Sequence, residues 1–190
     1  MSDQPAPAFR PPVALGCTVV AAAVGLLFLI VLLGVVFLES GADSGRVALE
    51  PAAAYARGTV TRVAERGFYV VRLANGDFLA ISDLDAANRA AADRRCRVAP
   101  IPASDPELAG LIARYRAAFS PPAAGSTLIF REDCRGALYD LAGVRVDEGP
   151  NLDRFETSID GQDRLVVNTA RRSCSQRTAA ALVVKQACAK

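Results

Sequence analysis

The sequence predicts a mainly β fold, a small antiparallel sandwich or barrel with one inserted helix, preceded by a single N-terminal transmembrane helix. Three observations support this prediction. The stretch 13–38 contains no charged residue. From residue 58 onward, short runs of apolar and β-branched residues alternate with Gly-containing turns, a pattern typical of small antiparallel sheets. Between two of these runs stands Asn75-Gly76, a strong short signal for a β-hairpin.

The apolar stretch reads VALGCTVVAAAVGLLFLIVLLGVVFL and follows a polar, Pro-rich tail over 1–12. As a helix it extends over roughly 39 Å, more than the ~30 Å of the hydrocarbon layer. A cleaved signal peptide is the alternative, but the stretch is too long for one and the following FLESGADSG has no clear cleavage site. We therefore expect a retained single-pass anchor over 13–38, with the lipid bilayer as a partner.

Cysteine usage indicates the side of the membrane, because the positive-inside signal is weak: only Arg10 precedes the stretch, and Arg46 soon follows it. The cysteines after the stretch are Cys96, Cys134, Cys174 and Cys188. An even number fits two disulfides, and therefore an oxidising compartment. We expect a cytoplasmic N-terminus and a periplasmic, extracytoplasmic domain at the inner (cytoplasmic) membrane of the cell.

The chain after the anchor divides into three predicted parts. Residues 39–57 are rich in small residues and are predicted to be a linker, with a short helix over 46–55 as the alternative. Residues 58–170 form the β domain. Residues 171–190 form a C-terminal tail, closed by two of the cysteines and containing a last helix or strand.

The strands of the domain are predicted from short runs of β-forming residues. The hairpin GFYVVRLANGDFLAIS (67–82) follows a strand-like GTVTRVA (58–64). Successive side chains of the hairpin, such as Phe68 and Tyr69, face opposite sides of the sheet. Five later strands are predicted at 126–132, 137–143, 144–149, 154–161 and 164–169.

One helix is predicted between the strands, in SDPELAGLIARYRAAF (104–119). Ser104 and Glu107 form a capping-box pattern, with Asp105 as an alternative cap. Its apolar residues recur at helical spacing: Leu108, Leu111, Ile112, Tyr115 and Phe119. We expect this stripe to pack on the domain rather than to form a partner groove. The stretch 83–97 is predicted to be partly helix and partly loop.

The stretch CRGALYDLAGVRVDEGP (134–150) has a spacing that resembles the second half of the Rieske iron–sulfur motif, C-P-x-H-G-S-x-[FY]-D followed by Gly and Gly-Pro. The matching residues are Gly136, Tyr139, Asp140, Gly143, Gly149 and Pro150. The stretch 75–96 is similar to the first half of that motif. The resemblance covers about 58–170 and implies the Rieske-like β-sandwich found in the membrane-anchored subunit of cytochrome bc complexes.

The resemblance also implies that all four cluster ligands are replaced. The two ligand cysteines fall on Asp85 and Glu132, and the two ligand histidines fall on Ala87 and Arg135. A Rieske cluster needs two thiolates and two imidazoles, and the chain contains no histidine. We therefore expect no cluster, no metal and no cofactor.

A disulfide is a further feature that the resemblance implies. In the quinol-oxidising branch of the family, each ligand loop carries an additional cysteine, and the two are bonded to each other. Cys134 stands at the matching place in the second loop, and Cys96 is the cysteine of the first loop, displaced by what resembles an insertion after Asn88. The implied pairs are Cys96–Cys134 and, from the remaining cysteines, Cys174–Cys188.

The residues at the ligand positions have two interpretations. Asp85, Glu132 and Arg135 form a buried ion pair in an emptied cavity, with the arginine neutralising one carboxylate, or all three are exposed charges at the loop tips. The cysteines also allow a zinc site, which would need four scattered thiolates, or a redox-active disulfide, which lacks the usual C-x-x-C.

No catalytic constellation accompanies these positions. A Ser-His-Asp or Cys-His arrangement needs histidine, and Gly-rich phosphate loops do not occur in the sequence. The formal net charge of +2 and the lack of basic–aromatic interleaving exclude a nucleic-acid partner. We therefore do not expect an enzyme.

The resemblance implies a non-catalytic accessory or structural subunit of a membrane electron-transfer complex, respiratory or photosynthetic, with other subunits of that complex as partners. A free-standing, membrane-tethered binding module is the alternative, with a thiol–disulfide protein as a third. Co-purification with haem- or quinone-bearing subunits distinguishes the first from the second.

Overall fold

A computed structural model describes residues 24–31, 45–90, 96–179 and 182–188. Residues 24–31 form helix α1, and their side chains are exposed. The remainder of the anchor predicted over 13–38 lies outside the described residues, as does the tail 1–12. None of the described helices is both long enough and apolar enough to cross a bilayer.

All the strands belong to the second of two units into which the chain divides, residues 44–190. The strands are β1 Arg46–Pro51, β2 Thr59–Val63, β3 Phe68–Arg72, β4 Phe78–Ser82, β5 Val98–Pro102, β6 Leu128–Glu132, β7 Leu138–Tyr139, β8 Gly149–Pro150, β9 Arg154–Ile159, β10 Arg164–Ala179 and β11 Leu182–Gln186. The helices of this unit are α2 Ala86–Ala90 and α3 Ala109–Tyr115, with 3₁₀ turns at Ala52–Ala54, Ala64–Arg66, Arg116–Ala118 and Pro121–Ala123.

The strands form two antiparallel sheets, so the predicted mainly β class is confirmed. The larger sheet has the order β1-β10-β9-β4-β3-β2, with β8 and β11 pairing the second half of β10. The smaller sheet has the order β5-β6-β7. Two connections that precede β7 contain helices: β4 of the larger sheet leads to β5 of the smaller sheet through α2, and β5 leads to its neighbour β6 through α3.

The hairpin predicted around Asn75-Gly76 is formed by β3 and β4, which pair from Phe68↔Ser82 to Arg72↔Phe78. Because successive side chains of β3 point to opposite faces of the sheet, this strand contributes to two cores, one on each face. Tyr69 packs with the side chains of the smaller sheet. Phe68 packs on the opposite face, against Leu165 and Phe155. Burial of both faces explains why apolar residues occupy every position of β3 before its last.

The β structure extends beyond both predicted bounds of the β domain, and the strand predicted as one alternative for the tail is β11. Residues 46–51 are neither linker nor helix but strand β1, which pairs with β10 from Arg46↔Asn168 onward. The predicted tail is also part of the sheet, because β10 continues to Ala179 and pairs with β11. Strands β1 and β11 each pair with β10 alone among the described strands, so their strand character depends on that partner rather than on local sequence.

The inserted helix is shorter than predicted. It begins at Ala109 instead of near Asp105, because the Asp105 carboxylate accepts the N–H of Glu107 (2.9 Å) and caps a preceding turn. The apolar stripe packs as expected around buried Ile112, with Leu108, Tyr115 and Phe119. Leu111 is the exception and is exposed. Of the later predicted strands, the one at 144–149 is replaced by a turn segment over 144–148 with a bridge Tyr139↔Arg145, and Gly149 begins β8.

Candidate functional site

Two loops at one end of the smaller sheet bring the predicted site residues together. The first connects β4 to β5 and contains α2, and the second connects β6 to β7 over residues 133–137. Cys96 of the first loop is bonded to Cys134 of the second, with their Cα atoms 5.5 Å apart. The pairing that the resemblance implied is therefore present.

Glu132, the last residue of β6, is completely buried beneath the second loop. Its carboxylate accepts the backbone N–H groups of Cys134 (3.0 Å) and Arg135 (2.6 Å), and it also accepts the side-chain amide of Asn88 (3.1 Å). Burial acts to raise the pKa of Glu132, but these hydrogen bonds and the charge of Arg135 together lower it. Glu132 is therefore an ionised acceptor that closes its own loop and connects it to α2.

Asp85 in the first loop is likewise a buried carboxylate, 4% exposed, that accepts a backbone N–H of its own loop. Its Oδ1 accepts the backbone N–H of Asn88 (2.7 Å), which fixes the start of α2. Its Oδ2 lies 3.5 Å from both Nη2 of Arg135 and the hydroxyl of Tyr139. Burial and the nearby Asp85 charge raise the pKa of Tyr139, so this phenol stays protonated and acts as a donor.

The two interpretations of these charges are each correct in part. Both carboxylates are buried, so they are not exposed loop-tip charges. The side chain of Arg135 is 58% exposed and reaches Asp85 only at 3.5 Å. The result is an ion pair that is open to solvent on the side of the arginine rather than a fully buried one.

Three of the four ligand positions line one small cavity. Asp85, Ala87 and Arg135 surround about 150 Å³ together with Tyr139 and Arg145. Glu132 does not line this cavity, and its carboxylate is engaged by the second loop and by Asn88. The donor set does not fit an iron–sulfur cluster of the Rieske type, because a methyl group and a guanidinium stand where imidazoles are needed.

The chain was compared with models of protein families, with curated proteins and with solved structures. No match was found. The resemblance to the Rieske family therefore stays a sequence-based prediction that depends on the motif spacing.

A soft-metal site at the loop tips is not supported by the state of the cysteines. Sγ of Cys96, Sγ of Cys134 and a carboxylate oxygen of Glu132 lie within 4.8 Å of one another. Both sulfur atoms are used in the disulfide, however, and the carboxylate is used by the loop. A thiolate ligand would exist only after reduction.

The residues of the motif that match the family stabilise turns. Asp140 is completely buried, and its Oδ1 accepts the N–H groups of Ala142 and Val144, both at 2.9 Å. Its Oδ2 accepts the N–H of Ser120 (2.7 Å). Gly143 has φ +75°, a conformation that favours glycine. The sequence Y-D-L-A-G thus specifies a tight turn that ties the second sheet to the segment after α3.

A second buried cluster was not predicted from the sequence. Asp153 is 2% exposed and pairs with Arg89 of α2 and with Nε of Arg172 (3.2 Å). Burial raises its pKa, although both arginines act to lower it. The disulfide Cys174–Cys188 lies beside it. The segment NLDRF contains Asp153, and the segment AANRA contains Arg89. Neither segment carries a local signal of this ion pair, because the two residues are 64 positions apart in the chain.

Proposed function

We propose that this chain is a single-pass membrane protein whose extracytoplasmic, Rieske-like domain carries no cluster and serves as a non-catalytic accessory subunit of a membrane electron-transfer complex. The observation that supports it most is the pair of disulfide-joined loops, with Asp85 and Glu132 buried where the resemblance expects ligand cysteines. A site emptied of metal needs its loops held by other means. Here the hydrogen bonds to Glu132 and the Cys96–Cys134 bond do so.

The structural character of this site favours a holding role over electron transfer. The Asp85 and Glu132 carboxylates are engaged with backbone N–H groups and with Asn88, so they hold the loops in place rather than remaining available for chemistry. Rigid loops at the end of a β-sandwich are suited to covering or holding a neighbouring subunit. The uncharged stretch 13–38 would keep the domain at the membrane where such subunits are found.

The proposal is tested by isolating the tagged full chain from its native membranes in mild detergent and identifying the accompanying proteins by mass spectrometry. Haem- or quinone-bearing membrane subunits in stoichiometric amount are expected. The same sample, reduced, should give no iron–sulfur signal attributable to this chain in electron paramagnetic resonance. Recovery of a solitary monomer would contradict the subunit role, and a Rieske-type signal from the purified chain would contradict the lost cluster.

A second candidate function is a free-standing, membrane-tethered binding module. The cavity of about 150 Å³ beside Asp85 and the exposed Arg135 favours it, because polar groups converge there at the surface. A monomer that is isolated alone and retains a bound small molecule would support this function instead.

A further inference from the structure

A second cavity, of about 250 Å³, lies between the segment that follows β5, the 3₁₀ turn that follows α3 and the segment that precedes β6. Its described lining residues are Ala103, Ser104, Arg116, Gly125, Ser126 and Thr127. None of them lines the cavity beside Asp85. Three hydroxyl groups and one guanidinium therefore line the same small space, and the lining contains no large apolar side chain.

Backbone hydrogen bonds hold the walls that carry the hydroxyl groups. The N–H of Ala103 donates to the carbonyl of Thr127 (2.8 Å), which joins the segment after β5 to the segment before β6. The N–H of Ser126 donates to the carbonyl of Ala123 (3.1 Å), at the end of the 3₁₀ turn Pro121–Ala123. The hydroxyl-bearing residues therefore stand on backbone whose position is fixed by the fold.

Packing at the end of α3 brings Arg116 to this cavity. The neighbouring side chains of Tyr115 and Phe119 pack against the apolar cluster that contains Ile112 and Ala103. The N–H of Phe119 donates to the carbonyl of Arg116 (3.2 Å) and closes the 3₁₀ turn that this arginine begins. The Arg116 side chain is exposed, and within the described part of the chain it forms no ion pair.

The charge of the lining is positive, because Arg116 is the one charged residue among the described lining residues. Asp105 follows Ser104 in the chain but does not line the cavity, and its carboxylate accepts the N–H of Glu107 (2.9 Å). The three lining hydroxyls have no hydrogen-bond partner among the described residues. A guanidinium and Ser or Thr hydroxyls are the side-chain groups that commonly bind phosphate oxygens.

We propose that this cavity binds a phosphate group, with Arg116 and the hydroxyls of Ser104, Ser126 and Thr127 as hydrogen-bond donors to its oxygens. A phosphate monoester offers three strong acceptor oxygens and close to two negative charges, which suits this set of donors better than a planar carboxylate does. The lack of large apolar side chains favours inorganic phosphate or a small phosphate monoester. The proposal is independent of the accessory role, because the cavity is separate from the loop tips.

The test is isothermal titration calorimetry of the full chain in micelles of a maltoside detergent, which contains no phosphate, with empty micelles as the blank. The titrants are inorganic phosphate, glycerol 3-phosphate and acetate. We expect saturable binding of a phosphate with a dissociation constant below about 1 mM, and at least about tenfold weaker binding of acetate. Tighter binding of glycerol 3-phosphate would support a monoester as the ligand, and tighter binding of inorganic phosphate would support the free anion.

Three variants locate the site. Arg116→Gln should weaken phosphate binding at least about tenfold through loss of the charged partner, and Ser126→Ala about threefold through loss of one neutral donor. Arg114→Gln is the matched control, because Arg114 is also exposed, lies two positions earlier and does not line this cavity. It should leave binding unchanged. An unchanged thermal unfolding midpoint shows that each variant is folded.

Two outcomes would overturn the proposal. One is the absence of saturable binding of either phosphate compound below about 1 mM, the weak limit for a specific small-molecule site. The other is an equal loss of binding in Arg116→Gln and Arg114→Gln, which would mean that phosphate is attracted only by the general positive charge of exposed arginines.

Discussion

Replacing Glu132 with Gln tests whether this buried carboxylate stabilises the loop tips. The two carboxylate oxygens accept three N–H groups, from Cys134, Arg135 and Asn88. A Gln amide has one acceptor oxygen, so its NH₂ group would face a backbone N–H at the other position. Loss of a charge-assisted hydrogen bond at a completely buried site predicts a decrease of about 2–3 kcal/mol in the free energy of unfolding.

The effect of Glu132→Gln should depend on pH. Because the pKa of Glu132 is lowered in the folded protein, the unfolded state binds more protons around its ordinary value of 4.5. The stabilisation by Glu132 is therefore complete above that value and is lost as the pH falls through the lower folded pKa. The difference between the wild-type chain and Glu132→Gln should be largest at neutral pH and should shrink in acid.

Urea unfolding of the full chain in detergent micelles, followed by circular dichroism at several pH values, measures both effects. Asp133→Asn is the matched control, because Asp133 is the next residue and is exposed. It should change the free energy of unfolding by no more than about 0.5 kcal/mol. If Glu132→Gln destabilises no more than this control, or if its effect is the same at acid and neutral pH, the role assigned to Glu132 is refuted.

Three further predictions concern the disulfides, a turn and a buried phenol. Replacing both cysteines of Cys96–Cys134, which are 38 residues apart, should lower the free energy of unfolding in urea by about 4 kcal/mol, and replacing those of Cys174–Cys188, which are 14 apart, by about 3 kcal/mol. The reverse order would contradict the loop-entropy explanation. Gly143→Ala should lower the free energy of unfolding by about 2 kcal/mol, because φ is +75° and the added Cβ would meet buried side chains at 3.2–3.3 Å. Gly161→Ala, with open space around it, should change this free energy little, and equal effects would contradict the turn assignment. Burial and a neighbouring carboxylate raise the pKa of Tyr139, so Tyr139→Phe should remove the phenol that ionises last in an alkaline absorbance titration; an unchanged last step would contradict this.

The parts of the fold that were predicted from sequence are those with strong local signals. The Asn75-Gly76 turn sets the register of β3 and β4, and the alternation along β3 places its side chains in the two cores. Strand β1 was missed, because RVALEP has little strand preference of its own and pairs with a segment more than 110 residues away. Local propensity carries no information about such a partner.

The candidate site was predicted in position but not in chemistry. The motif spacing predicted that Asp85, Glu132 and Arg135 lie on neighbouring loops, and the structure places them there. The sequence did not predict the role of Asn88 as a donor to Glu132. This hydrogen bond depends on a contact between two loops, and the two residues are 44 positions apart in the chain. A sequence shows which charges are present, whereas their burial depends on which backbone groups the fold turns toward them.

The arrangement at Glu132 explains how a loop of this kind is held without a metal. Residues 133–137 reverse the chain within a few positions, which turns the N–H groups of Cys134 and Arg135 toward the buried carboxylate of Glu132. The carboxylate at the end of β6 accepts two of those N–H groups, and the disulfide from Cys134 fixes the loop to its neighbour. Because an unsatisfied buried N–H costs about as much as a whole hydrogen bond contributes, some acceptor is required at this position. An acidic residue fulfils that requirement here, so the geometry of the two loop tips depends on the buried Glu132 carboxylate and on the Cys96–Cys134 bond.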